Sequence, residues 1–232
     1  MASLVCFALK EEAAPFQKLA PGRPEIAILI TGMGRRNAEK AVREYLSLGG
    51  SRGDEAQIKN ESETLHVASR PTLVLTCGFA GGLNPDLKLG DVVFDAQSPE
   101  SKVHSPLRAV GARPAKFFCA DRIATTAAEK KKLRADTGAD VVEMESGAIQ
   151  AVCGERGLPC VTVRVISDTA EQDLPLDFNA LVKADQNLDY GKLAWAIAKS
   201  PGKIGALMKL QKRTFFAAEE LARVLVRILV AA

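Results

Sequence analysis

Short apolar runs separated by stretches of helical period recur along this chain, and that alternation limits its fold more than any other feature. Leu4 to Leu9, Ile26 to Ile30, Leu73 to Thr76, Val92 to Phe94 and Val161 to Ile166 are dominated by apolar residues. Runs of this kind, without polar alternation, suit strands of a sheet covered on both faces. After the turn Thr31-Gly32-Met33-Gly34, the residues Ala38, Ala41, Val42, Tyr45 and Leu46 share one helical face, and Gly49-Gly50 marks the stop. A charged helix from Ala127, carrying Glu129, Lys130, Lys131, Lys132 and Arg134, leads to Val141-Val142. A further helix is expected over Glu143 to Glu155, with Met144, Ala148, Ala151 and Val152 on one stripe and Gly157-Leu158-Pro159 ending it. The polar stretch Ser51 to Glu63 reads as a surface excursion, not a linker. Strands alternating with helices predict an α/β fold in three layers, αβα, formed as one domain over residues 1–232.

Composition then excludes several function classes. Lys and Arg number 31 against 28 Asp and Glu, and a net charge of +3 is too small for a dedicated nucleic-acid binder. Two histidines, His66 and His104, do not supply the clustered ligands of a zinc site. Five cysteines without any CxxC spacing read as small buried hydrophobes in a reducing compartment. The apolar start runs directly into Lys10-Glu11-Glu12 without a basic leader, and no segment reaches the length of about 18 apolar residues that spans a membrane. A cytoplasmic location is therefore expected. The charge is unevenly spread, for residues from Lys199 onward hold seven basic and two acidic side chains. There Leu221, Val224, Leu225, Ile228 and Leu229 repeat at helical spacing behind Phe215 and Phe216, which predicts a basic amphipathic helix at about 203–232. Its stripe reads first as core or subunit contact and second as a weak membrane-surface contact.

Three groups of residues stand at the ends of predicted strands, where ligands of α/β sheets collect. The first, Gly32-Met33-Gly34-Arg35-Arg36-Asn37, opens a helix and presents backbone N–H groups and guanidiniums. Asn37 stands where a dinucleotide fingerprint needs a small residue, and no strand ending in an acid follows about 20 residues on. A tight turn with solvated arginines is the alternative. The second, Cys77-Gly78-Phe79-Ala80-Gly81-Gly82-Leu83, lets a ligand approach the backbone closely and adds the flat face of Phe79. A plain strand exit would look the same. The third pairs Glu143-Met144-Glu145-Ser146 with Arg164-Val165-Ile166-Ser167-Asp168, bringing carboxylates to one end of the sheet. Helix-start acids and a turn cap are the structural alternatives for these carboxylates.

Taken together, Ala8-Leu9-Lys10-Glu11-Glu12-Ala13, Thr31-Gly32-Met33-Gly34, Gly78 to Leu83, Val142-Glu143-Met144-Glu145 and Val163 to Asp168 resemble the nucleoside phosphorylase superfamily. The resemblance runs from about Leu4 to Phe178. It is greatest to the 5′-methylthioadenosine/S-adenosylhomocysteine nucleosidases and the hopanoid-associated phosphorylases, the latter through Leu188-Asp189-Tyr190-Gly191-Lys192-Leu193 and Lys199-Ser200-Pro201-Gly202. It implies a central mixed sheet of the phosphorylase/hydrolase type and cleavage of a purine N-glycosidic bond. Asp168 matches the acid that protonates N7 of the leaving base and must keep a proton near neutrality. Glu145 matches the residue that binds the ribose hydroxyls, with Met144 on the sugar face and Glu143 beside it. Glu12 matches the residue that activates the attacking water, although a helix-start role remains open for it. Arg164 and Ser167 match positions supporting the acid. Phe79, Ala80, Gly81 and Ile123 match substrate-facing positions, with Ile123 where an aromatic is usual on the base.

The resemblance also bears on the nucleophile. Phosphorylases of the superfamily place an arginine and a hydroxyl residue where this chain has Thr76 and Phe79, so a phosphate dianion would lose a charge-assisted partner. Gly34 and Arg35 remain a substitute anion site. Hydrolysis of an adenine nucleoside such as methylthioadenosine or adenosylhomocysteine is therefore expected first. Phosphorolysis of a purine nucleoside or a lipid-linked adenosyl compound comes second, and a non-catalytic nucleoside-binding protein third. No metal or organic cofactor is called for. The expected partner is a small-molecule nucleoside, and the resemblance also implies a homo-oligomer.

Overall fold

The computed structural model describes residues 2–48, 57–60, 63–66, 71–98, 101–181, 183, 189, 191–192, 195, 199 and 201–229. In chain order the elements are β1 (Ser3–Phe7), α1 (Lys10–Leu19), β2 (Ile26–Ile30), α2 (Arg35–Leu48), β3 (Gln57–Asn60), β4 (Glu63–His66), β5 (Leu73–Gly82) and β6 (Val92–Asp95). There follow α3 (Ser101–Ala109), β7 (Arg113–Ala115), β8 (Phe117–Cys119), α4 (Ala127–Thr137), β9 (Val141–Glu143), α5 (Ser146–Glu155), β10 (Cys160–Asp168), α6 (Phe178–Leu181) and α7 (Ile204–Leu229). The predicted stop at Gly49-Gly50 lies outside the described residues, as do Leu188, Tyr190, Leu193 and Ser200 of the later likeness. At the end of the polar stretch and just beyond it, β3 and β4 pair as an antiparallel two-stranded sheet.

The main sheet is mixed and eight-stranded, ordered β2-β1-β5-β10-β6-β7, with β9 on the far end of β5 and β8 beside β9. Strands β1, β2, β5 and β10 are mutually parallel, whereas β6 runs antiparallel to β10 and β9 antiparallel to β5. Period-two alternation sends successive residues of β1 to opposite faces. Val5 and Phe7 join Phe16 of α1, Leu107 of α3, and Leu221 and Leu225 of α7 in one core. Leu4 and Cys6 join Val42 and Tyr45 of α2 and Ile149 and Val152 of α5 in the other. The sheet is thus covered on both faces, the αβα arrangement that the continuous apolar runs demand, and all nine residues of β10 are buried.

Several elements depart from expectation. Strand β5 does not end at Thr76 but continues through the glycine run to Gly82, because Gly81 and Gly82 pair with Val142 and Val141 of β9. Glu143 closes strand β9, Glu145 is the N-cap, and α5 starts at Ser146, so the carboxylates precede the helix instead of opening it. The buried face of α5 carries Ala148, Ile149, Val152 and Cys153, while Ala151 is exposed. The apolar stripe of α7 is taken up by the core: Leu221 and Leu225 are fully buried and Ile228 nearly so. No helix among the described residues is long and apolar enough to cross a membrane.

Candidate functional site

Parallel strands β1, β5 and β10 end on the same side of the sheet, and the loops and helix starts beyond them enclose a cavity. Its walls bring together Glu12, Phe79, Ala80, Gly81, Ile123, Glu143, Met144, Glu145, Ser167 and Asp168 of the residues singled out from the sequence. Met33, Arg122, Leu174, Phe178 and Leu210 also line it. Arg164, Gly34 and Arg35 do not. The predominantly apolar walls with a few converging carboxylates are what a small-molecule site requires.

Glu12 is the third residue of α1 and turns back over the helix start. Its Oε2 accepts the N–H groups of Ala8 and Leu9, each at 3.0 Å, which satisfies two otherwise free donors at the helix entry. Its Oε1 accepts the N–H of Phe79 at 2.8 Å. The helix-start role and the site role therefore coincide in one side chain. Burial raises its pKa from 4.5 to about 7, against the lowering effect of Arg164 and the backbone N–H groups. A carboxyl in that range can take up a proton at neutrality, as a general base must.

Arg164 projects from β10 into the middle of three carboxylates. Its Nη2 donates to Glu143 Oε2 at 2.7 Å and lies 3.3 Å from Glu145 Oε2, and the same nitrogen reaches Thr76 Oγ1 at 3.2 Å. Nη1 donates to the carbonyl of Cys77 at 3.2 Å. Gly78 lets the two sides meet. A Cβ there would lie 2.6 Å from Arg164 Nη1 and 2.7 Å from Glu12 Oε1, and its φ of +143° is one that side-chain-bearing residues rarely adopt. Arg164 thus serves the carboxylates of the β5 and β9 side, not Asp168, where the sequence pattern had placed its support.

Glu143 and Glu145 differ in availability. Glu143 accepts the N–H groups of Glu145 and Ser146 at 3.0 and 2.8 Å and the Ser146 hydroxyl at 2.6 Å. Burial works against its charge, but Arg164 and these hydrogen bonds outweigh it and hold the carboxyl below its usual range. Glu143 is thus committed to anchoring the start of α5. Glu145 accepts the N–H of Gly34 at 2.8 Å through Oε1. Burial raises its pKa, with Arg164 opposing and Glu143 reinforcing. Because Glu145 occupies the Gly34 N–H, that donor does not point to a free anion site. Arg35 turns away, donating to the Cys119 carbonyl at 3.2 Å and lying 3.3 Å from Asp121.

At the end of β10 the register slips between Ile166 and Asp168, so that Asp168 stands opposite Gly81. A bulge re-aims side chains, and this one brings both Ser167 and Asp168 to the cavity. Ser167 Oγ donates to Asp168 Oδ1 at 2.7 Å. Asp168 Oδ2 is paired with Lys130 of α4, whose side chain is completely buried. The spacing of Lys130, three residues after Ala127 and three before Leu133, is the local sign that its stem packs inward.

On the remaining wall, Ile123 donates its N–H to Asn179 Oδ1 and accepts from Asn179 Nδ2, both at 2.9 Å. This contact joins residues 56 positions apart, and no local pattern could have announced it.

Residues 112–189 match the model of the phosphorylase superfamily. In fold, the chain is similar over its length to a 5′-methylthioadenosine/S-adenosylhomocysteine nucleosidase from Neisseria meningitidis in complex with methylthio-immucillin-A, at TM-score 0.67 and 17% identity, covering 100% of both chains. Futalosine hydrolase of Helicobacter pylori matches at TM-score 0.66 and 16% identity, covering 99% of this chain and 97% of that one. The nucleosidase of Helicobacter pylori with butyl-thio-DADMe-Immucillin-A matches at TM-score 0.66 and 16% identity, covering 100% and 99%.

Proposed function

From a chain that carries the phosphorylase-superfamily pattern on this fold, we propose a purine nucleosidase, an enzyme that breaks the N-glycosidic bond of an adenine nucleoside with water. Methylthioadenosine and adenosylhomocysteine are the candidate substrates. Glu12 accepts the proton of the attacking water. Glu145 binds the ribose hydroxyls and favours the positive charge that develops on the ring, with Met144 against the sugar. Asp168, steadied by Ser167, passes a proton to N7 of the departing base. The base lies toward Ile123 and Phe178, where the apolar wall is.

One observation carries the choice of water over phosphate. The charged groups lining the cavity among the described residues are Glu12, Glu143, Glu145, Asp168 and Arg122, four carboxylates against one guanidinium that is itself paired with Glu129. With Arg122 engaged by Glu129, no guanidinium or ammonium lining the cavity among the described residues is left to hold a phosphate dianion, whereas water needs only a base. Product analysis decides the matter. Adenine release from methylthioadenosine, adenosylhomocysteine and adenosine is followed with and without phosphate, and the sugar product is identified. Free sugar in both conditions is expected, and sugar 1-phosphate as the sole product would overturn the proposal.

The same reading includes a cytoplasmic homo-oligomer. Five free thiols agree with a reducing compartment, and the exposed Leu19, Met208, Phe215 and Phe216 supply apolar surface for a subunit contact. Light scattering at micromolar concentration tests the oligomer.

A further inference from the structure

The ammonium of Lys130 is wholly enclosed, and each of its three N–H donors has an acceptor. The carbonyls of Thr169 and Gln172 lie at 2.9 and 2.8 Å, and Asp168 Oδ2 takes the third position. Gly81 packs directly beside this pair: a Cβ there would stand in van der Waals contact with Asp168 Oδ2 at 3.4 Å and Lys130 Cε at 3.9 Å. Burying an ammonium costs several kcal/mol, and an apolar side chain would pack α4 on the sheet without that cost. Asp168 lines the cavity and Lys130 does not, so the carboxylate stands between the ammonium and the substrate space. Other charged groups nearby are engaged elsewhere. Glu129 pairs with Arg122, Arg134 with Asp140, Asp173 accepts the N–H of Ala127, and Lys131 and Glu171 face solvent. Across the cavity, Glu12, Glu143 and Glu145 surround Arg164.

We propose that Lys130 is the proton reservoir of the site: a positioning residue that acts through Asp168 and resupplies the proton the leaving base takes. The inference rests on the nucleosidase reading. As the C1′–N9 bond breaks, its electron pair goes to the base. A proton passes from Lys130 Nζ to the Asp168 carboxylate and from that carboxyl group to N7. Lys130 is left as the neutral amine and Asp168 again as carboxylate, and between turnovers a proton from water in the cavity returns to Lys130 through Asp168, which lines the cavity.

The test compares Lys130→Arg and Lys130→Met with wild type on two substrates that share one 5′ substituent. One is an adenine nucleoside, whose base leaves when protonated. The other is a 4-nitrophenyl riboside, whose leaving group departs as an anion. An arginine keeps the charge and the contact to Asp168 but does not release its proton. Both variants are expected to lose about 100-fold in kcat on the nucleoside, with KM changed by no more than about threefold. The loss on the nitrophenyl riboside stays within about threefold. In Lys130→Met the alkaline limb of kcat/KM for the nucleoside moves to lower pH. Restoration of nucleoside turnover and its pH profile by arginine would reduce Lys130 to a structural ion pair and overturn the inference, as would equal losses on both substrates. Wild type inactive on both substrates would overturn the nucleosidase reading and this inference with it. Wild type active on both, with variants unchanged, would overturn only the inference.

Discussion

The carboxylate of Glu12 accepts the backbone N–H of Phe79 at 2.8 Å across 67 positions of sequence, tying the first turn of α1 to the glycine run of β5. With its pKa near 7 through burial, Glu12 gives a pH dependence of definite sign. As a base it works when ionised, so kcat/KM should rise with pH through about 7. Stability should move the other way. A carboxyl whose pKa is raised by folding stabilises the fold below its unfolded value and loses that contribution as pH rises through its folded value. The shift from 4.5 to about 7 corresponds to on the order of 3 kcal/mol lost by pH 8 or so. Glu12→Gln should lower kcat by about 100-fold or more and flatten the decline of Tm that the shift from 4.5 to about 7 places between those two pH values. A Tm slope unchanged in the variant would contradict this.

Gly78→Ala tests the close approach of the two charges it separates. The added methyl group would collide with Arg164 and Glu12 and would force a φ that alanine disfavours. A loss of about 1–3 kcal/mol in urea unfolding is expected, with activity falling further than stability accounts for. Wild-type activity in this variant would show that the cluster tolerates displacement.

Arg164→Met removes the one guanidinium that three buried carboxylates share. Glu143 would keep its backbone donors, but its charge and those of Glu145 and Glu12 would lose their counterion. Breaking a buried pair in this way costs about 3–5 kcal/mol, and the variant should unfold at markedly lower urea concentration. A change below about 1 kcal/mol would mean the carboxylates simply protonate without strain.

Helix α7 gives a prediction about surfaces. Its stripe of Leu221 and Leu225 is fully buried against the core that holds Phe16 and Val165. Leu225→Ala should therefore cost about 2–5 kcal/mol, as a core truncation does. Sedimentation with anionic vesicles should leave the protein in the supernatant, because the Leu221–Leu225–Ile228 stripe is already taken up by the core and the exposed Met208, Phe215 and Phe216 are assigned to a subunit contact. Co-sedimentation of the folded protein would contradict this.

The layered fold was legible because continuous apolar runs have one physical outlet. They must be covered on two faces, and β2 spans Ile26–Ile30 as the run itself does. Boundaries that depend on pairing were not legible. The extension of β5 through Gly82 exists because β10 pairs with Gly78 to Gly81 and β9 with Gly81 and Gly82, and the pairing of β9 likewise separates Glu143 from α5. Glu145 and Asp168 could be picked out by type and by their position at strand ends, Glu12 through the family resemblance, and all three line one cavity. Their partners could not. Arg164 reads from sequence as an aid to Asp168, four residues away, yet β-sheet pleat and the bulge at Ser167 send the two side chains to different companions.

What the sequence determined by itself is the alternation of core strands with helices and the chemistry available at their ends, since both follow from local periodicity and residue type. What tertiary structure alone decided is which charges share a neighbourhood. Lys130 meets Asp168, Glu12 meets Phe79, and Asn179 meets Ile123 through contacts between segments 38 to 67 residues apart. The strength of a charge is set by what surrounds it once water is gone, and that depends on packing between distant segments, which no local pattern encodes.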